Sequence, residues 1–285
     1  MQSPLISRFA PSPTGRLHLG HAYSAMRAHD LARAGGGRFL LRIEDIDPGR
    51  CRPEHVAGII EDLQWLGLDW DEPPLFQSAR LSLYAAALDR LKAMDLVYPC
   101  FCTRARIAAE IAASASAPHG PDGPLYPGIC RDLPVDECAA RIAAGEAHAW
   151  RLDCARAADM AGPLYWDDEE AGLVAAQPEV HGDVVLARKD APTSYHLAVT
   201  VDDAAQGISD VVRGRDLFEA THVHRLLQAL LGLPTPRYHH HGLLTDADGN
   251  RLAKRAGSPS LASMREDGAD PAALLAQLRG ARAIT

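Results

Sequence analysis

The stretch from Leu5 to His21 constrains the fold of this chain more than any other part of the sequence. An apolar run over residues 5–9 predicts a buried strand, and the prolines and glycine of residues 11–15 predict a tight turn. His18-Leu-Gly-His21 then opens a helical pattern. The first amides of a helix have no partner inside the helix and carry partial positive charge, so phosphate groups bind there. This order of strand, turn and helix start predicts a nucleotide site.

Two histidines and a glycine at this helix start are the first candidate functional residues. His18 and His21 stand three residues apart, so on a helix they share one face. There they can donate hydrogen bonds to charge that develops on a phosphoryl group. Gly20 lets the backbone approach a ligand closely. The alternative, which applies to any such short motif on its own, is that both are ordinary capping or surface histidines.

A βαβ unit with a parallel sheet is predicted for the first part of the chain. The helical pattern covers residues 19–33 and ends at three consecutive glycines, and residues 38–43 form a second apolar run. An amphipathic helix is expected over residues 53–66. A further helix, capped by Ser78, is expected to end near Met94. The alternation of strands and helices indicates the α/β class.

Three carboxylates follow the second predicted strand: Glu44, Asp45 and Asp47. Ligands of open parallel sheets bind beyond the carboxyl ends of the strands, so these side chains stand where a ligand is expected. Glu44 could pair with an ammonium group, and Asp47 could order the turn before Pro48. The alternative is a solvated acidic turn.

Residues 98–163 differ in character and are predicted to be an insertion into the parallel-sheet domain, with strands returning at residues 149–152 and 184–188. The α/β pattern resumes at residue 193. Strands are expected over residues 195–201, 210–214 and 238–244, and helices over residues 220–231, 261–266 and 271–278. We therefore divide the chain into a first half of the domain (1–97), the insertion (98–185), a second half (186–245), and a basic loop with a helical tail (246–285).

The insertion carries a candidate metal site. Cys100, Cys102 and Cys130 supply three possible thiolates, and structural zinc takes four ligands in a tetrahedron. Tyr126, four residues before Cys130, is one candidate for the fourth ligand, and His119 is the other, since imidazole is the commoner zinc ligand. The alternative is three reduced cysteines in a core or loop. A disulfide framework is not expected in a cytosolic chain of this size.

Charged residues near the ends of predicted strands suggest what the site binds. A ligand with two carboxylates and an amine needs two cations and an anion, and Arg8, Arg213 and Glu44 offer that set. Tyr195 falls near the same ends. Lys254 lies in a basic loop and can neutralise phosphate charge in a transition state, unless that loop is only a solvated turn.

Net charge and the distribution of apolar residues limit which partners the chain can have. The net charge of −8 does not favour nucleic acid as a partner of the whole chain, so such binding would depend on local patches such as Arg251, Lys254 and Arg255. The sequence has no run of about 18 apolar residues and no secretory signal. We therefore expect a cytoplasmic protein with no membrane partner.

Five blocks, in this order and spacing, resemble the class I glutamyl-type aminoacyl-tRNA synthetases. They are Pro11-Ser-Pro-Thr-Gly-Arg-Leu-His-Leu-Gly-His, which resembles the HIGH motif; Arg42-Ile-Glu-Asp-Ile-Asp; Tyr195-His-Leu-Ala with Val201-Asp-Asp; Val212-Arg-Gly-Arg-Asp; and Arg251-Leu-Ala-Lys-Arg, at the place of the KMSKS loop. The resemblance covers most of residues 5–280. It implies a Rossmann-like catalytic domain with a parallel sheet, a zinc-binding insertion and a short C-terminal helical segment that resembles one contacting a tRNA stem.

The resemblance also implies roles by position. The ATP-binding residues would be His18, Gly20, His21 and Lys254, with magnesium accompanying the ATP. The catalytic residues among these would be His18, His21 and Lys254. One structural zinc would be bound by Cys100, Cys102, Tyr126 and Cys130, which favours Tyr126 over His119. Glutamate would be bound by Arg8, Phe9, Ala10, Pro11, Ser12, Glu44, Tyr195 and Arg213.

Two features narrow the resemblance to a short branch of the family. The chain stops soon after the KMSKS-like loop, without an anticodon-binding domain, and Cys-x-Cys followed by Tyr-x-x-x-Cys is similar to the zinc insertion of that branch. This implies a monomeric ligase that activates L-glutamate with ATP, without tRNA, and then esterifies the queuosine base in the anticodon of tRNA(Asp). The alternatives are a truncated glutamyl-tRNA synthetase that charges the acceptor end, and a non-catalytic paralog that binds nucleotide or RNA.

Three positions depart from the motifs of the family. Leu19 replaces isoleucine in the HIGH motif, which conserves volume. Arg251 and Arg255 stand at the first and last positions of the KMSKS-like loop, so that this loop could grip phosphates differently.

Overall fold

A computed structural model describes residues 4–113, 119–120, 123–242, 244 and 259–281. The predicted βαβ unit is confirmed. Strand β1 (Ile6–Phe9) is buried throughout, helix α1 (Leu19–Ala34) follows the turn, and strand β2 (Arg38–Ile43) lies parallel to β1. Helix α2 (Pro53–Trp65) begins with proline at its first turn, where no amide partner is lost. Strand β3 (Leu75–Phe76) extends the parallel sheet beside β2.

The next part of the chain adds helices and a second, antiparallel sheet. A short 3₁₀ turn over Gln77–Arg80 leads into helix α3 (Leu81–Ala93) and strand β4 (Val97–Cys100). The remaining elements of this part are α4 (Arg104–Ala113), β5 (His119–Gly120), β6 (Gly123–Pro124), α5 (Val135–Ala143), β7 (Ala149–Leu152) and α6 (Cys154–Ala161). Strand β7 pairs antiparallel with β4.

The rest of the chain returns to the parallel arrangement. The elements are β8 (Tyr165–Asp168), β9 (Gly172–Ala175), β10 (Val185–Ala187), α7 (Tyr195–Ala205), β11 (Asp210–Gly214), α8 (Ala220–Leu230), β12 (Arg237–His241), α9 (Leu261–Glu266) and α10 (Pro271–Gly280). Strand β12 lies parallel to both β11 and β8, and β10 pairs with β7. The amide of Ser209 donates to the carbonyl oxygen of Ile6 at 3.0 Å, so β11 begins beside β1.

Three local predictions were wrong. The segment over residues 195–201 is helical, not a strand, because its apolar residues are buried on several sides and leave no helical stripe in the sequence. Ser78 does not cap a helix; its amide and hydroxyl bind the carboxylate of Asp45 at 2.8 and 2.6 Å. The last strand ends at His241, not at residue 244.

The β8–β9 hairpin was not predicted. It lies within residues 98–185, which the sequence assigned to the insertion, yet β8 pairs with β12 of the parallel sheet. The proposed division of the chain stays a prediction. Within the part of the chain that the structure describes, no helix is long and apolar enough to cross a membrane.

The core binds the two halves of the fold together. Helix α1 packs its buried face, including Ala22, Ala25 and Met26, against β1 and β2. The closing helices join the same core through Leu261 and Leu275. The amide of Leu261 donates to the carbonyl oxygen of Leu17, which places the start of α9 beside the start of α1.

Gly37, at the junction of α1 and β2, offers a test of this packing. A Cβ atom at Gly37 would lie 2.0 Å from the carbonyl oxygen of Leu5, and backbone cannot move away as a flexible side chain could. We expect Gly37→Ala to lower the free energy of unfolding in urea by about 1–3 kcal/mol or more.

Gly58 in α2 is the matched control, because a Cβ there would meet nothing within 4 Å. Gly58→Ala is expected to raise stability by about 0.5–1 kcal/mol. Equal effects at the two glycines would contradict the close approach at Gly37.

Candidate active site

One cavity of about 570 Å³ lies where the turn after β1, the start of α1 and the ends of β2 and β11 meet. It brings together every residue predicted to bind glutamate or ATP except Lys254, which lies outside the described residues. The predicted residues that line it are Arg8, Phe9, Ala10, Pro11, Ser12, His18, Gly20, His21, Glu44, Tyr195 and Arg213. Residues far apart in the sequence thus share one cavity.

The floor of the cavity depends on the carboxylate of Asp203 in α7. Arg8 donates to it from Nε at 2.9 Å and from Nη2 at 3.3 Å, and Arg42 donates from Nη1 at 2.8 Å. Burial opposes ionisation of Asp203, but the two guanidinium groups outweigh it and hold its pKa below the ordinary range. Two cations and one anion therefore remain charged beneath the cavity.

Glu44 lies at the edge of this group. Its carboxylate is 3.5 Å from Nη2 of Arg42, and its side chain is buried. Burial raises the pKa of Glu44, although Arg42 and Arg8 oppose the rise. An added positive group in the cavity would stabilise the carboxylate, so Glu44 suits an ammonium ligand.

Arg213 reaches the other side of the cavity from β11 and is held on several sides. Its Nε donates to Nε2 of His240 at 3.1 Å, and its Nη2 donates to the hydroxyl of Thr221 at 2.7 Å. Its Nη1 lies 3.2 Å from the hydroxyl of Tyr195 and 3.3 Å from Nδ1 of His224. The guanidinium is thus oriented before any ligand arrives.

His240 can accept from Arg213 because a carboxylate fixes its tautomer. Its Nδ1 lies 2.7 Å from Asp168, which only accepts, so the proton is on Nδ1 and Nε2 is free to accept. Burial and the nearby Arg213 lower the pKa of His240 to about 3, so the ring is neutral at pH 7. Asp168, His240 and Arg213 form one connected chain of hydrogen bonds.

The two histidines of the helix start also have fixed tautomers. His18 caps α1: its Nδ1 accepts from the amide of Gly20 at 3.1 Å, and its own amide donates to Nδ1 of His21 at 3.2 Å. An amide can only donate, so both rings carry their proton on Nε2. The capping alternative and the ligand hypothesis are therefore compatible, because capping uses Nδ1 and leaves each ring an Nε2–H donor.

The cysteines of the insertion form a compact group. The sulfur atoms of Cys100, Cys102 and Cys130 all lie within 4.8 Å of one another and are buried. The hydroxyl of Tyr126 lies 3.4 Å from Sγ of Cys100 and 3.7 Å from Sγ of Cys102, and Cys102 and Cys130 are 3.4 Å apart. Ligands at about 2.3 Å from a tetrahedral zinc lie about 3.8 Å from one another, so the group has the right size.

Tyr126 is the fourth member of this group in the structure, whereas the side chain of His119 lies outside the described residues. The cluster could hold a metal ion. Its chemistry, three thiols and a phenol, suits a closed structural site more than a catalytic one, since all four positions are occupied by protein atoms.

Sequence reasoning missed the residues that orient the binding groups. Arg42 and Asp203 lie within quoted blocks, yet no role was given to either. Asp168, Thr221 and His224 carried no signal, because they meet Arg213 or its partners only in the folded chain. Asp47 orders the turn at Pro48, as the sequence suggested, because its carboxylate accepts a hydrogen bond from the amide of Gly49 at 3.1 Å.

A parallel α/β sheet with paired histidines at a helix start, and with fixed arginines at the strand ends, fits a class I aminoacyl-tRNA synthetase type of catalytic domain. The sequence profile described as "tRNA synthetases class I (E and Q), catalytic domain" matches residues 4–282. The chain belongs to that family.

Individual relatives support this placement. The protein named glutamyl-Q tRNA(Asp) synthetase of Rhodobacter capsulatus is 53% identical over 278 residues, which cover 94% of this chain and 97% of that protein. The protein of the same name from Symbiobacterium thermophilum is 45% identical over 284 residues, covering 96% of this chain and 85% of the relative.

Solved structures agree with the fold. The glutamate-tRNA synthetase of Elizabethkingia anophelis superposes with a TM-score of 0.76 at 26% identity, covering 93% of this chain and 54% of that one. A glutamate tRNA ligase from Elizabethkingia meningosepticum, in complex with its amino acid, gives a TM-score of 0.74 at 26% identity. This chain spans about half the length of those structures.

Acidification is expected to destabilise the protein through its neutral histidines. Burial and the neighbouring His18 lower the pKa of His21 from 6.5 to about 4. The unfolded chain takes up this proton near pH 6.5 and the folded chain does not, so stability is full above pH 6.5 and falls as the pH drops towards 4. Between pH 7.5 and 5.5, His21 alone should cost about 1 kcal/mol of unfolding free energy.

Urea unfolding of wild type and of His21→Asn at both pH values measures this loss. The variant should lose less stability on acidification than the wild type. Equal losses would show that His21 is not held neutral in the folded protein.

Proposed function

We propose that this protein activates glutamate with ATP, without tRNA, and then transfers the glutamate to the queuosine base in the anticodon of tRNA(Asp). The observation that carries the proposal is that Arg8, Glu44 and Arg213 share one cavity with the start of α1. The name of the relative at 53% identity, which this chain matches over 97% of that protein's length, supports the choice of reaction.

The glutamate half of the cavity is assigned by charge. Glu44 binds the α-ammonium group, and the guanidinium of Arg213 binds a carboxylate together with the hydroxyl of Tyr195. Arg8 binds the other carboxylate through the protons that Asp203 leaves free. Phe9, Ala10, Pro11 and Ser12 form the wall beside Arg8.

The ATP half is the start of α1. Gly20 has no side chain to obstruct the phosphates, and the Nε2–H groups of His18 and His21 donate to phosphate oxygens. Lys254, which the sequence predicts to lie in a basic loop, would add a positive charge, and magnesium would accompany the ATP. In the first step a carboxylate oxygen of glutamate attacks the α-phosphate, and pyrophosphate leaves. Positioning and hydrogen bonding supply the catalysis, and no side chain acts as nucleophile.

In the second step a hydroxyl of the cyclopentenediol of queuosine attacks the acyl carbon of glutamyl-adenylate, and AMP leaves. The first step uses ATP and the second uses tRNA. Both are present in the cytoplasm, and we place the protein there. A monomeric state stays a prediction.

The likeness to glutamate-tRNA synthetases favours a second candidate, transfer to the acceptor end of a tRNA. The two differ in the group that accepts glutamate and in whether activation requires tRNA.

Two assays distinguish them. ATP–pyrophosphate exchange with glutamate should proceed without tRNA, and labelled glutamate should then appear on tRNA(Asp) that carries queuosine but not on tRNA(Asp) that lacks it. Exchange that strictly requires tRNA(Glu) would establish the second candidate. A protein with no exchange at all would be a non-catalytic binding module.

Loss of the helix-start donors should slow the first step strongly. We expect His21→Ala, and likewise His18→Ala and Lys254→Ala, to lower exchange by about 10²–10³-fold with folding intact, the cost of removing a donor to transition-state charge. His55→Ala, in α2 and away from the cavity lining, is the control and should retain exchange. Near-normal exchange in a variant would remove that residue from the catalytic set.

Zinc is the metal that we propose for the cysteine cluster, with Cys100, Cys102, Tyr126 and Cys130 as ligands. The distances among the four donor atoms support this set. Zinc would cross-link β4 to the segment around Cys130 and stabilise the insertion, with no part in either chemical step.

Elemental analysis of the native protein should find one zinc per chain. Cys130→Ser should lose most of it and melt at a lower temperature, because only three donors remain. Cys138→Ser is the control, since Cys138 packs beside the cluster without belonging to it. The ligand set would be refuted if the native protein contained no zinc, or if both variants lost equal amounts of the metal.

A further inference from the structure

The guanidinium of Arg151 lies over the phenol ring of Tyr126, beside the cysteine cluster of the insertion. Its carbon Cζ is 3.9 Å from the centre of that ring, within the range of a cation–π contact. The hydroxyl of the same ring lies 3.4 Å from Sγ of Cys100. One side chain, proposed above as the fourth zinc ligand, therefore contacts a cation with its face and the cluster with its oxygen.

The sheet of the insertion holds Arg151 in this place. The residue belongs to β7, the middle strand, where it pairs with Tyr98 of β4 on one side and with Val185 of β10 on the other. Its Nη1 donates to the carbonyl oxygen of Asp183 at 2.6 Å. The position of the guanidinium is thus set by the fold and does not require a metal.

The carboxylate of Asp183 is committed to other partners. It accepts from Nε and Nη2 of Arg131, at 2.8 and 2.6 Å, and from the hydroxyl of Tyr98. Its other oxygen accepts from the amide of Cys154 at 3.2 Å. Among the described residues, no carboxylate forms an ion pair with Arg151, whose contact with Asp183 is to a neutral carbonyl. Arg151 therefore carries a positive charge that lacks a direct ionic partner.

A metal centre in the cluster would need such a charge. Cysteine binds zinc as the thiolate, and three thiolates outweigh the two positive charges of the ion, so the bound centre is an anion. The three cysteines are buried. Charges in such a place are stable only when they are paired. The cation over Tyr126 supplies a partner at the position where one is required.

We propose that Arg151 is the charge partner of the metal centre and positions Tyr126 as its fourth ligand. The inference depends on the zinc assignment made above and adds the residue that allows an anionic centre to be buried. The guanidinium compensates the excess negative charge, and its contact with the ring face fixes the direction from which the phenol oxygen meets the metal. By linkage, metal binding strengthens the contact of Arg151 with the cluster as much as that contact strengthens metal binding.

Arg141 provides a matched control. Its Cζ lies 4.0 Å from the centre of the ring of Phe101, so it makes the same kind of contact within the same cluster of side chains. Phe101 has no donor atom for a metal, and Arg141 is already paired with Glu146 at 2.7 Å. Loss of Arg141 therefore removes a cation over an aromatic ring without affecting a proposed ligand.

Competition with a colorimetric chelator measures the zinc affinity of each protein. For Arg151→Gln we expect an affinity lowered by about tenfold or more, as for other partners of metal ligands. Arg151→Lys keeps the charge and should recover part of the affinity, whereas Arg141→Gln should bind zinc as the wild type does. Wild-type affinity in Arg151→Gln, or an equal loss in Arg141→Gln, would overturn the proposal. Equal losses in Arg151→Lys and Arg151→Gln would overturn the role of the charge.

Thermal melts distinguish this role from a purely structural one. Bound zinc stabilises the native chain to a degree set by its affinity, so the difference in Tm between zinc-loaded and metal-free protein should shrink in Arg151→Gln and persist in Arg141→Gln. If Arg151→Gln lowered both Tm values equally, Arg151 would only support the fold of β7, and the proposal would fail.

The zinc assignment and the role of Arg151 fail in different ways. A native protein without zinc would refute the ligand set, and the role of Arg151 with it. Zinc bound equally tightly by the wild type and by Arg151→Gln would leave the ligand set intact and refute the role of Arg151 alone.

Discussion

The carboxylate of Asp203 is the contact on which the candidate site depends. It accepts hydrogen bonds from Arg8 of β1 and Arg42 of β2, and thereby ties both strands to α7. Removing one partner of a buried pair leaves an uncompensated charge, at a cost of about 3–5 kcal/mol. The same contact aligns the turn after β1, which leads into the helix start proposed to bind phosphate. Folding and binding geometry are thus joined at a single side chain.

A similar arrangement fixes the opposite wall. Asp168, on a strand that the sequence did not reveal, holds the tautomer of His240, and His240 in turn orients Arg213. Both candidate carboxylate-binding arginines are therefore held by protein partners, which reduces the side-chain entropy lost when a ligand binds. The free-energy cost of removing these charges from water arises when the chain folds, and contacts with neighbouring groups offset it.

The sequence predicts the local elements and the lining residues of the candidate site better than the contacts that hold them. The βαβ unit and the helix start follow from local patterns, and the lining residues follow from quoted motifs. The pattern over residues 195–201, which form the first part of α7, predicts a strand because an apolar run that is buried on several sides carries no period. The partnership of Arg8 with Asp203 spans 195 positions of the chain, and no local signal encodes such a contact.

The charged residues proposed to bind glutamate bear on whether adenylate forms before or after tRNA binds. These residues, Arg8, Glu44 and Arg213, are all positioned by residues of this chain, so no tRNA contact is needed to assemble them. This supports the proposal that adenylate forms before tRNA binds.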